Sequence, residues 1–90
     1  MLPVNMIENK IENKIERYTT KNLNIAAYLY ASGIHFTGAE KIKYELFFSF
    51  SPKKKAEILV NDYFSGTASV NPRDLFARLH DLKDLIFNQK

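Results

Sequence analysis

The most regular alternation of hydrophobic and polar residues lies between residues 43 and 50, and it predicts a β-strand. One face of this strand carries Tyr44, Leu46, Phe48 and Phe50, and the other carries Glu45, Phe47 and Ser49. A second alternating stretch at 34–37 precedes it, with a turn predicted over 38–41. Two strands so close together in the chain are expected to pair as an antiparallel hairpin.

Three helices are predicted from the residues that begin and end helices. They run from Thr20 or Asn22 to Gly33, from Ser51-Pro52 to Gly66, and from Asn71-Pro72 towards the end of the chain. A side-chain oxygen before the first turn accepts a hydrogen bond from a free backbone N–H, and proline fits the first helical position. Glycine adopts the left-handed conformation that commonly ends a helix.

The last predicted helix carries more hydrophobic residues than one core-facing stripe requires. Leu75, Leu79, Leu82 and Ile86 recur at helical spacing, and Phe76, Leu85 and Phe87 flank them. Most of this surface is expected to enter the core of the domain. The alternative is a symmetric contact between two copies. The residues predicted for an interface on this helix are Phe76, Leu82, Ile86 and Phe87.

Short strands are also predicted at 17–20 and 67–70. The order of elements, β-α-β-β-α-β followed by a helix, predicts an α+β fold. One candidate is a ferredoxin-like βαββαβ arrangement with an additional C-terminal helix. The alternative is a two-stranded hairpin packed by three helices. Either fold occupies residues 17–90 as a single domain, since a chain of 90 residues leaves little room for a second one.

Residues 1–16 differ from the rest of the chain because residues 7–16 repeat the sequence IENK. The repeat places Ile7, Ile11 and Ile15 in one row of a helix, with glutamate and lysine in neighbouring rows. We interpret this segment as an N-terminal arm with two alternative roles. It docks its isoleucine row on a partner or on the domain, or it is a low-complexity extension that is only loosely attached.

The composition excludes several classes of protein. The absence of cysteine excludes a disulfide framework, thiolate catalysis and cysteine-ligated metals, and three glycines leave no phosphate-binding loop. No apolar run approaches the ~20 residues of a membrane-spanning helix, and no signal peptide is recognisable, so a cytoplasmic location and no membrane partner are expected. The chain has seven Phe and five Tyr, and their combined surface is more than so small a domain is expected to bury. The surplus favours a homodimer.

Catalytic and metal-binding side chains form no convincing group. His35 lies on the predicted hairpin, and His80 has a potential metal-ligand neighbour only in Asp84, one helical turn away. Serine and threonine residues fall at turns and helix caps, where a structural role accounts for them. We therefore expect no metal, no cofactor and no enzymatic activity.

Lysines 53–55 begin the second predicted helix, where the helix dipole disfavours cations. Such lysines are suited to contact phosphates. Phe47 lies on the strand face opposite the predicted core, where an exposed ring can stack on a base, although Glu45 adds negative charge there. The residues predicted to bind nucleic acid are Lys41, Lys43, Lys53, Lys54, Lys55, Phe47 and His35. The alternatives are a solvated helix start, and a Phe47 ring buried at a dimer contact or under the arm.

Three segments resemble a small prokaryotic and viral family of unknown function. They are Tyr18-Thr19-Thr20-Lys21-Asn22-Leu23, Tyr63-Phe64-Ser65-Gly66 and Val70-Asn71-Pro72-Arg73, and the resemblance extends over residues 18–87. Most of these residues occupy capping and packing positions. The resemblance therefore implies a folding unit and brings no catalytic residue with it.

The sequence defines no biological process, and the expected function is that of a non-enzymatic interaction module. Its most specific form is a weak, salt-dependent binder of single-stranded nucleic acid. The alternative is a protein-binding adaptor, such as a phage or host regulator. That adaptor would use the C-terminal helix and the row formed by Ile7, Ile11 and Ile15.

Overall fold

A computed structural model describes residues 16–88 of the chain. Strands and helices follow one another as β1 (Tyr18–Thr20), α1 (Leu23–Ala31), β2 (His35–Ile42), β3 (Glu45–Ser51), α2 (Lys53–Ser65) and α3 (Pro72–Asn88). The predicted α+β class is confirmed. The predicted arm, residues 1–16 with its isoleucine row, lies outside the described residues except for Glu16.

The three strands form one sheet in the order β1-β3-β2. Strand β3 is antiparallel to both neighbours, so β1 and β2 run parallel to each other on either side of it. This is a split β-α-β unit, in which α1 connects the two outer strands. The strand with the best alternation in the sequence therefore occupies the centre of the sheet.

A fourth strand, as the ferredoxin-like arrangement requires, is absent from residues 16–88. The predicted strand at 67–70 is irregular, and the backbone N–H of Thr67 donates to the carbonyl of Asp62 at 2.9 Å. This bond ends α2 and removes a donor that a strand would need. Ala68 and Val70 pack against the core from this connection without joining the sheet.

The hairpin differs from its prediction in where the turn lies. Strand β2 continues to Ile42 through a bulge between Phe36 and Gly38, where Gly38 has φ 141°. A glycine inside a strand can mark such a bulge as well as a turn, which explains the misplaced prediction. The turn is Lys43-Tyr44, and Tyr44 is 96% exposed instead of lying on the core face.

Two of the three predicted N-terminal helix caps are confirmed, and one is wrong. The side chain of Asn22 accepts from the N–H of Ile25 at 3.1 Å, and that of Asn71 accepts from the N–H of Arg73 at 2.8 Å. Ser51 does not cap α2, because it ends β3 opposite His35. Helix α2 starts after Pro52 with no side-chain cap.

The core is built around α1, in which the five consecutive residues 25–29 are buried. Consecutive burial means that the helix is covered on every side. The sheet contacts one side of it, α2 also touches it, and α3 packs extensively against it. The largest side chains that are fully buried are Phe48, Phe50, Leu29 and Leu82.

A chain of aromatic contacts ties the third helix to the sheet. The Arg78 guanidinium lies 4.2 Å from the centre of the Tyr30 ring. Tyr30 stacks on Phe36 at 5.1 Å between ring centres, and Phe36 contacts Phe50 at 5.3 Å. These contacts connect α3, α1, β2 and β3 in one continuous path.

We expect Leu82→Ala to destabilise the domain by about 2–5 kcal/mol, because it removes a fully buried side chain and leaves a cavity. Urea unfolding followed by circular dichroism measures the change. The matched control is Lys83→Ala, the exposed neighbour, for which we expect a change within about 0.5 kcal/mol. Equal losses for the two variants would contradict the position of Leu82 in the core.

The environment of Tyr28 predicts that the stability of the domain falls at alkaline pH. Burial raises the pKa of its hydroxyl above the ordinary value of 10.0, the Asp62 carboxylate raises this pKa further, and a hydrogen bond with Ser32 lowers it. The folded protein therefore holds this proton more tightly than the unfolded chain does. The resulting stability is present below pH 10.0 and is lost as the pH rises through the folded pKa.

The test compares the parent chain with Tyr28→Phe, which has no proton to lose. Urea unfolding between about pH 9 and about pH 11.5 should show a steeper loss of stability in the parent chain. Parallel profiles would show that Tyr28 does not titrate differently in the folded state.

Candidate interaction surfaces

Within residues 16–88, helices cover one face of the sheet and leave the other face open. Phe48 and Phe50 are buried on the helical side, so Phe47 lies on the opposite face. Phe47 is half-buried, pairs with Glu40 across the ladder, and has Glu45 two residues away on the same face. The predicted stacking ring is therefore flanked by two carboxylates.

The predicted basic residues do not form one cluster. Lys41 and Lys43 lie at the hairpin end of β3, and lysines 53–55 follow the opposite end of the same strand. A strand as long as Glu45–Ser51 separates these positions by roughly 20 Å. His35 is exposed and pairs with Ser51, which places it at the end where α2 begins.

Carboxylates also accompany the positive charges at both ends of the strand. Lys21 forms an ion pair with Glu45, and both side chains are more than half exposed. At the other end, the backbone N–H of Lys53 donates to the carbonyl of Glu16 at 3.0 Å, and the Lys53 ammonium lies 3.9 Å from the Glu16 carboxylate. An open depression of about 280 Å³ at this end is lined by Glu16, Pro52, Lys53, Lys54 and Glu57. Its charges are mixed, so it does not select an anion.

The histidine on α3 has a single acidic neighbour. His80 Nε2 lies 3.5 Å from Asp84 Oδ2, and both side chains are exposed. No group of three or more side chains suited to a metal ion occurs within the part of the chain that the structure describes. None of the described helices is both long and apolar enough to cross a membrane.

The outer helices expose several large hydrophobic side chains. On α3, Phe76 is 64% and Phe87 is 79% exposed, and Ile86 is partly exposed. On α2, Ile58 is 61% and Phe64 is 71% exposed. Leu82, which was predicted for the same interface, is fully buried and unavailable to a partner.

Two exposed phenylalanines on α3 belong to one row at helical spacing, which we call the α3 outer row. It consists of Phe76, His80, Lys83 and Phe87, and all four are exposed. Successive members are four, three and four residues apart, so they lie along one side of the helix. This row is offset by about 100° from the stripe that carries Leu82 into the core.

Sequence reasoning missed three exposed residues. Tyr44 fits the alternation of the predicted strand, and Phe64 continues the helical spacing of Ala56 and Val60, which predicts a buried stripe on α2. Ile58 fell outside that stripe, and this departure was the one signal that could have identified it. Periodicity gives the face of a residue but not whether another element covers that face.

The described residues thus form a small α+β domain with helices on one face of a three-stranded antiparallel sheet. Residues 15–88 match the model of a family described as a domain of unknown function, DUF5659. This match covers most of the chain, so the protein belongs to that family. The resemblance over residues 18–87 to a domain of unknown function is thereby confirmed. No curated protein and no solved structure matches the chain.

Proposed function

We propose that this domain is a non-enzymatic protein-binding module that pairs with a second copy of itself through the α3 outer row. The observation that carries the proposal is the exposure of Phe76 and Phe87 on a helix whose neighbouring stripe reaches the core. A folded helix with uncovered aromatic rings is a suitable docking surface, because its backbone is already ordered before binding.

The spacing of the row favours a second copy over an unrelated protein. Intervals of four, three and four residues read the same in both directions along the helix. An antiparallel pair related by a two-fold axis therefore places Phe76 against Phe87 of the second copy, twice. Two-fold interfaces require such a self-complementary patch. His80 then faces Lys83 of the second copy, and the nearby Asp84 carboxylate offsets the positive charge there.

The four exposed rings supply only part of the free energy that a concentration-dependent dimer requires. Full burial of a phenylalanine contributes about 1.5–3 kcal/mol, and each of the four rings in the pair is already partly buried. The gross gain is therefore about 6 kcal/mol, close to the lower end of the estimated 4–15 kcal/mol cost of association. Further apolar contact, for which Ile86 is available, is needed for a stable pair.

The alternative of a nucleic-acid surface across the open sheet face has less support. Carboxylates flank Phe47, and the five lysines proposed for it divide between opposite ends of β3. We therefore place the function on the helical side of the domain.

A cytoplasmic location stays a prediction from the sequence.

The first test is the mass of the protein by sedimentation equilibrium. We expect a monomer–dimer equilibrium for the parent chain and a monomer for Phe76→Ser/Phe87→Ser, because that variant removes the apolar contacts. The control is Ile58→Ser/Phe64→Ser, which removes comparably exposed hydrophobic residues from α2 and should still dimerise. A parent chain that is monomeric up to about 1 mM would refute the proposal.

The register can be tested by disulfide trapping, since the chain has no cysteine of its own. Phe76→Cys and Phe87→Cys are prepared as separate variants and then mixed under oxidising conditions. The antiparallel pair predicts a cross-link in the mixture and little in either variant alone, because a disulfide needs Cα atoms within about 7 Å. Cross-links in each variant alone would indicate a parallel arrangement instead.

A further inference from the structure

The turn between β2 and β3 exposes a group of residues that the proposed function does not use. Tyr44 is 96% exposed, which makes it the most exposed of the large hydrophobic residues in the described part of the chain. Ile42 is 47% exposed, and Lys41 and Lys43 are also exposed. We call residues 41–44 the hairpin tip. It combines one aromatic ring, free on nearly all sides, with two cations.

The backbone of the tip adopts a conformation that its sequence does not favour. Lys43 has φ 58°, and it is the single residue other than glycine with positive φ among the described residues. Two-residue hairpin turns normally use asparagine, aspartate or glycine at such positions, because a Cβ atom is disfavoured there. A lysine held in this conformation beside a bare tyrosine is a local departure of the kind that accompanies functional positions.

We propose that the hairpin tip binds single-stranded nucleic acid, with Tyr44 stacking on a base and Lys41 and Lys43 contacting phosphates. Lys41 lies near the end of β2, and Lys43 lies in the turn directly before Tyr44. Glu45, which follows Tyr44 in the chain, is paired with Lys21. Tyr44 also has Lys43 next to it in the chain, whereas Phe47 faces the Glu40 carboxylate across the ladder.

Lys41 projects from the helical side of the sheet, so the hairpin tip is distinct from the open sheet face that carries Phe47. Lys41 pairs with Leu46 in the ladder, so it shares the helical side of the sheet, whereas Glu40 pairs with Phe47 on the open side. A strand bound at the tip can therefore contact Lys41 without approaching Glu40. The site depends on neither the α3 outer row nor the dimer.

A single strand fits the tip better than a duplex or a membrane. Stacking on a tyrosine needs a base that is free of its own stack, which a single strand supplies. Stable attachment to a membrane takes two signals, such as a lipid chain with a polybasic patch, and the tip has only two lysines. The affinity for a single strand should be weak, because one base and two phosphates are contacted.

The experiment measures fluorescence anisotropy of a short labelled oligothymidylate titrated with the full chain at several salt concentrations. We expect Tyr44→Ala to weaken binding at least about fivefold and Tyr44→Phe to preserve it, since stacking needs only the ring. The parent chain should show a slope of log K against log salt near −1.4, and Lys41→Gln/Lys43→Gln should bring it close to zero.

The matched control is Lys54→Gln/Lys55→Gln, which removes the same charge at the opposite end of β3 and should leave affinity and slope unchanged. Equal losses in this control would overturn the site in favour of attraction by net charge alone. Binding that is indifferent to Tyr44→Ala, or absent at millimolar protein, would also overturn it. So would binding of the tip to anionic phosphatidylserine vesicles without binding to the oligonucleotide. Phe76→Ser/Phe87→Ser should bind the oligonucleotide with the same affinity per protomer as the parent chain. The dimer proposal and the hairpin-tip proposal can therefore fail independently.

Discussion

Packing of α1 against the two buried phenylalanines of β3 is the contact on which the rest of the structure depends. Phe48 and Phe50 present large rings, and residues 25–29 of α1 are buried above them. Since α1 is covered on all sides, it provides the surface on which α3 packs and Leu82 is buried. Loss of this contact would leave a three-stranded sheet and two helices without a common core.

The same arrangement explains why the outer helices retain exposed hydrophobic residues. A chain of this size places one helix fully inside, and α2 and α3 then each bury only part of their surface. Ala56 is the buried residue on α2, and Leu82 is the buried residue on α3. Phe64, Phe76 and Phe87 consequently have no cover among the described residues.

Local sequence signals predicted most of the elements because the interactions that specify them are local. Asn22, Asn71 and Gly66 are recognisable caps, and the strong alternation of β3 predicted the central strand. The predictions of a turn at 38–41 and of a fourth strand at 67–70 were wrong for a related reason. Gly38 accommodates a bulge instead of a turn, and Thr67 gives its backbone donor to the end of α2. Each of these outcomes is decided by contacts with another element.

The candidate surfaces were harder to predict than the fold. Composition correctly indicates an excess of aromatic residues, but the residues left exposed depend on how α2 and α3 are oriented. Phe76 and Phe87 flank the predicted stripe of α3 and are exposed, whereas Leu82 belongs to that stripe and is buried in the core. The separation of the lysines along β3 follows from sheet topology, which a one-dimensional pattern does not contain.

The bulge in β2 also affects how copies of this domain can come together. Both outer strands of the sheet are poor templates for joining a neighbouring chain: β1 has three residues, and β2 is interrupted at Gly38 and carries charged Glu40 and Lys41. Interrupted and charged margins of this kind oppose continuous intermolecular sheets and the fibrils that grow from them. At high concentration these margins therefore oppose open-ended stacking of the domain through its backbone.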